Sequence, residues 1–130
     1  MSPLGLDHKR LGALVDATAP DGSEVRVLCR TRRGSMAHFT LPAGAVSKAV
    51  AHRTVDELWF FLSGHGRMWR RLQGEDQVLE VEPGMSLNIP VGTQFQFRSD
   101  GAALVALGVT MPPWPGEDEA YEVEGLWPPT

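Results

Sequence analysis

The chain has 130 residues, a formal net charge of −4, 42% hydrophobic and 22% charged residues, the balance of one soluble domain with a single core. It lacks the clustered basic surface that nucleic acid requires, an apolar leader and any stretch long enough to span a membrane, so the expected location is cytoplasmic. Cys29 stands alone, which excludes an intrachain disulfide, and in the run Val25 to Cys29 it reads as a small buried hydrophobe.

Fourteen glycines and 10 prolines favour short strands joined by turns over long helices. Residues 1–23 form a weakly patterned N-terminal arm. Its Leu4, Leu6, Leu11, Leu14 and Val15 are suited to cover an edge of the domain or a partner subunit, and Pro20-Asp21-Gly22 marks a turn. Residues 24–110 read as the β domain. Glu24 to Thr31 alternates, with Val25, Val27 and Cys29 on one face. Met36 to Leu41 sets Phe39 and Leu41 inward and His38 on the opposite side. Val46 to His52 is the next strand, with Val50 and His52 on one face by the period of two. Glu57 to Leu62 is almost continuously apolar, as expected of a strand covered on both faces.

Gly64-His65-Gly66 turns the chain into Arg67 to Leu72, where Met68, Arg70 and Leu72 share a face. Gln77 to Val81, Met85 to Ile89, Gln94 to Arg98 and Ala102 to Thr110 complete a set of short antiparallel strands. Arg30, Arg32 and Arg33, like Arg67, Arg70 and Arg71, read as solvated strand ends. Residues 111–130 form a tail with five prolines, two tryptophans and the acidic run Glu117-Asp118-Glu119. Proline bars most of it from strand or helix interiors. Trp114, Tyr121 and Trp127 argue that it is pinned to the domain or to a partner.

Two spaced patterns organise the middle of the chain. Gly44, His52, Glu57 and Gly64 form one, and Gly84, Pro90 and Gly92 the other. Together they resemble the two sequence motifs of the cupins, small jelly-roll β-barrels, over Met36 to Val109. The resemblance implies an all-β fold: one antiparallel cupin barrel with a Pro/Trp-rich tail, expected to pair as a homodimer. Two of the four positions that hold metal ligands in cupins carry Val50 and Phe95, and Ser99 stands at the last position of the second motif.

His52 and Glu57 alone are too few for a tight transition-metal site, so no cofactor is expected. A divalent metal held by them would need a third ligand, for which Gln94, Gln96 and His65 are the candidates. A histidine beside a carboxylate in an apolar cavity can instead move a proton near neutral pH, with His52 as acid or base and Glu57 orienting it. The resemblance to metal-free cupins points the same way. The interior expected from alternation is apolar and aromatic: Phe39, Leu41, Val50, Trp59, Phe61, Met68, Phe95 and Phe97. Such a lining suits a small organic ligand. The expected function is binding of such a ligand, with isomerase, cyclase or lyase chemistry. The alternatives are a metal-dependent enzyme such as a dioxygenase, or a ligand-binding module without catalysis. No nucleic-acid or membrane partner is expected.

Overall fold

The computed structural model describes residues 5–130; Leu4 of the arm lies outside them. Eleven strands follow in chain order. They are β1 (Ala17–Thr18), β2 (Glu24–Arg30), β3 (Ser35–Leu41), β4 (Val50–His52), β5 (Asp56–Ser63) and β6 (Gly66–Leu72). After them come β7 (Glu75–Val81), β8 (Ser86–Ile89), β9 (Gln94–Ser99), β10 (Leu104–Met111) and β11 (Ala120–Glu122). One sheet has the order β1-β2-β3-β10-β5-β8, and the other β11-β4-β9-β6-β7. Their inner faces enclose the core, as in a jelly roll.

The strands predicted from alternation all form, with instructive shifts. The segment from Val46 pairs regularly only over Val50–His52; Val46 makes an isolated bridge to Arg98. β5 is not covered on both faces. Glu57, Trp59 and Phe61 point inward and are buried, while Leu58 is 50% and Phe60 45% exposed on the outside. The apolar run therefore hid an ordinary two-faced strand. Both termini add a strand: β1 extends the first sheet, and β11 pairs with β4. β11 uses a proline-free stretch of the tail.

The motif glycines Gly44, Gly64, Gly84 and Gly92 all have positive φ, between 71° and 92°, which a side chain rarely tolerates. The spacing of the two motifs is thus a spacing of turns. Between the sheets, Leu41, Phe61, Met68, Val81, Leu87, Ile89, Phe97 and Leu104 form a closed core. Burial of each large side chain contributes about 1.5–3 kcal/mol.

The two ends behave differently. Residues 5–16 are exposed, Leu6, Leu11 and Leu14 included, so these three leucines are not part of this chain's core. Arg26 holds the arm through the carbonyls of Gly12 and Ala13. The tail, in contrast, is pinned to its own barrel. It crosses the outer face of the second sheet, where Trp127 lies under the guanidiniums of Arg67 and Arg98 and Tyr121 under that of Arg53. No helix among the described residues is long and apolar enough to cross a membrane.

Candidate functional site

A cavity of about 580 Å³ opens between the sheets, with β1, β2 and the tail forming its mouth. Strand alternation supplies its wall. β4 turns Val50 and His52 inward, β5 contributes Glu57 and Trp59, β9 Phe95, β3 Ala37 and Phe39, and β10 Gly108 and Thr110. Phe39 stacks on Trp59 with centroids 5.3 Å apart. Phe95 meets His52 edge-on at 5.3 Å.

Of the ten residues expected at the site, six line the cavity: His52, Glu57, Phe39, Val50, Trp59 and Phe95. The other four, Leu41, Phe61, Met68 and Phe97, belong to the closed core instead. Alternation gives the face of a side chain but not its depth along the barrel. Arg70 is occupied away from the cavity; its guanidinium donates to the Asn88 carbonyl at 2.8 Å and joins the two sheets.

Gly108 makes room for the polar pair. A Cβ at that position would stand 2.5 Å from the Phe39 ring and 2.9 Å from Glu57 Oε2. His52 Nδ1 lies 3.7 Å from Glu57 Oε1, with the residues 5% and 3% exposed. The contact is too long for a hydrogen bond, and it is not an ion pair near neutrality. Burial pushes the Glu57 carboxyl up to about 8, the Trp59 indole opposing and Asp21 adding to the shift. Burial pushes His52 down to about 4 against the pull of Glu119. Between those values Glu57 holds its proton and His52 is neutral. His52 Nδ1 and Trp59 Nε1 are both sealed from solvent without a hydrogen-bond partner.

Three contributors were not read as such in the sequence. Asp21 lines the cavity from the β1–β2 turn; it does act as a turn residue, its Oδ1 accepting from the Ser23 amide and hydroxyl. Trp114 packs edge-on against His52 at 5.1 Å and is fixed by its amide donating to Ser35 Oγ. Glu119 is buried under the turn between β4 and β5. Burial opposes its ionisation, but the Thr54 hydroxyl and the amides of Thr54 and Val55 outweigh it and hold the carboxyl below its usual range. The only signal for the last two was the aromatic and acidic content of the tail.

The donor set does not fit a metal centre. Val50 and Phe95 offer no ligand atom. The side chain of Gln96 is bound to the tail on the outer face, and Gln94 lies in a surface depression beside Trp69 and Leu126. His65 sits between β5 and β6. Among the described residues no group of three or more His, Cys, Asp or Glu side chains could hold a metal ion.

A family model described as "Cupin domain" matches residues 37–110. Among solved structures, the chain is similar to oxalate decarboxylase from Bacillus subtilis, with a TM-score of 0.76 and 14% identity over 90% of this chain and 32% of that one. It is also similar to an uncharacterised Klebsiella pneumoniae protein with a double-stranded β-helix domain, with a TM-score of 0.66 and 14% identity over 85% of this chain and 91% of that one. A third likeness is to CapF, a capsular polysaccharide assembling protein from Staphylococcus aureus, with a TM-score of 0.67 and 20% identity over 86% and 34% of the two chains. The chain thus spans about a third of the decarboxylase and of CapF, and most of the Klebsiella protein. No curated protein matches the chain. At these identities the likeness is one of fold.

Proposed function

The chain belongs to the cupin family, and from that premise we propose that it binds a small, largely apolar organic molecule in the barrel and moves a proton on it without a metal. The observation that carries this reading is the placement of His52 and Glu57 side by side on the wall of an apolar cavity, 3.7 Å apart. The neutral forms of both residues are the useful ones. The Glu57 carboxyl can donate to an oxygen of the ligand, while His52 has a lone pair free to accept a proton.

On an enolisable ketone the steps balance within the pair. His52 takes the proton from the carbon beside the carbonyl, and the Glu57 proton goes to the oxygen, giving the enol. In a β,γ-unsaturated ketone His52 then returns its proton at the γ-carbon of the dienol, and the oxygen returns the other to Glu57. The result is an isomerisation with no net change in the protein. Where the β-carbon carries a leaving group, that group instead departs with the His52 proton while the enol oxygen returns its own to Glu57, a lyase outcome that leaves the protein unchanged.

The test is deuterium uptake at the α-carbon of 1-phenyl-2-propanone in D2O, followed by NMR. The protein should accelerate exchange well beyond buffer, and His52→Ala and Glu57→Gln should each remove most of the gain while keeping the fold. No acceleration over the His52→Ala variant would leave binding without catalysis, the second reading that the apolar cavity supports.

A further inference from the structure

The mechanism above uses one buried carboxyl, yet the cavity contains two. Asp21 is 6% exposed and lines the same cavity as Glu57. Its Oδ1 is satisfied by Ser23, and its charge is felt at Glu57. Among the described residues neither carboxyl has a Lys or Arg within ion-pair distance. Arg30 lines the cavity but is exposed. Two carboxyls in an apolar chamber are costly to ionise unless a cation enters with the ligand.

The rest of the wall has the complementary chemistry. Aromatic rings of Phe39, Trp59, Phe95 and Trp114 surround the pair, and ring faces attract an ammonium. The buried Trp59 N–H is turned toward the Glu57 carboxyl, which it steadies, though it meets no acceptor at hydrogen-bond geometry. Of the exposed lining residues, Glu117 and Arg30 offset each other, so the buried carboxyls set the charge of the interior. An anionic ligand would bring a third acidic group beside Asp21 and Glu57, and a neutral one would offer Asp21 no positive charge.

We infer that the ligand is an organic amine, its ammonium group held between the Asp21 and Glu57 carboxyls and its apolar body lying against Phe39, Phe95 and Trp114. The inference rests on the cavity being a small-molecule site. Asp21 supplies the charge that meets the ammonium, so Glu57 keeps its proton and the acid of the proposed chemistry remains in place beside His52.

The experiment compares three probes of matched size: phenethylamine, 2-phenylethanol and 3-phenylpropionate. Binding is followed at pH 7 by calorimetry and by tryptophan fluorescence. The amine should bind at least tenfold more tightly than the alcohol, and the acid should show no saturable binding. Asp21→Asn, which keeps an acceptor for Ser23, should weaken the amine at least tenfold and change the alcohol less than twofold. If Asp21→Asn does not fold, Glu57→Gln takes the same comparison.

Equal affinity for alcohol or acid, or an amine affinity unmoved by the folded variant, overturns the amine assignment and leaves the cavity reading standing. Absence of saturable binding by all three probes overturns both.

Discussion

Gln96 and Trp127 hold each other in both directions. The Gln96 amide nitrogen donates to the Trp127 carbonyl at 2.7 Å, and its oxygen accepts from the Trp127 amide at 2.9 Å. The same side chain also donates to Ser47 and accepts from Leu126. One fully buried amide thus fastens the tail to the outer face of the second sheet. Gln96→Leu leaves the buried Ser47 carbonyl and three part-buried backbone groups of Leu126 and Trp127 unpaired, a fully buried one costing about 1–3 kcal/mol. The variant should lose about 3 kcal/mol or more in urea denaturation, and limited proteolysis should now cut within residues 111–130.

The displaced titrations of Glu57 and His52 set opposite pH dependences. Glu57 has a folded value of about 8 against an ordinary 4.5. Its contribution is fully present below 4.5 and is lost as pH rises through 8. His52, at about 4 against 6.5, contributes fully above 6.5, and its contribution is lost as pH falls through 4. Wild type should therefore weaken relative to Glu57→Gln between about pH 4.5 and 8, by up to about 1.4 kcal/mol per pH unit. Paired denaturation curves across that range check the sign. Any turnover should be flat between about 4 and 8 and fall outside.

Gly108→Ala forces a methyl group into the Phe39 ring and against Glu57. Overpacking of this kind costs about 1–3 kcal/mol. Because the displaced groups are the cavity wall, ligand affinity should fall along with the melting temperature. An alanine variant with wild-type stability and affinity would show that the wall yields at no cost.

Trp114 shields His52 from solvent. In Trp114→Ala the desolvation that lowers the His52 titration is relieved, so the imidazole should titrate closer to 6.5. An NMR titration of the ring Cε1 proton measures this directly. Cavity ligands should also dissociate faster through the widened mouth.

Leu58, Phe60 and Leu62 remain exposed on the outer face of β5, and the neighbouring β10 pairs Val109 with Leu58 and Leu107 with Phe60. An uncharged apolar stripe of this kind is a surface for association, and a homodimer through it is the expected state. Sedimentation should give twice the chain mass for wild type and the chain mass for Phe60→Glu.

The fold was legible because the motif glycines mark turns and because alternation marks faces. His52, Val50 and Glu57 were legible for the same reason: each sits on a regular strand whose inner face is fixed by its neighbours. Phe61 and Met68 have the right face but sit too deep, since depth depends on how the sheets taper. Asp21 was concealed by its second job as a turn residue. Trp114 reaches the site through its bond to Ser35, and Glu119 through the pairing of β11 with β4, whose partners stand 68 to 72 positions apart; no local pattern encodes either.

The unlike fates of the two ends bear on how the protein is handled at the bench. Thr130 is bonded through its amide and hydroxyl to Val46, and the preceding residues fasten a wall of the cavity. A tag fused after Thr130 would pull on that wall, whereas residues 5–16 are exposed and carry no part of it. Assays comparing the two fusions should therefore begin from the N-terminal one.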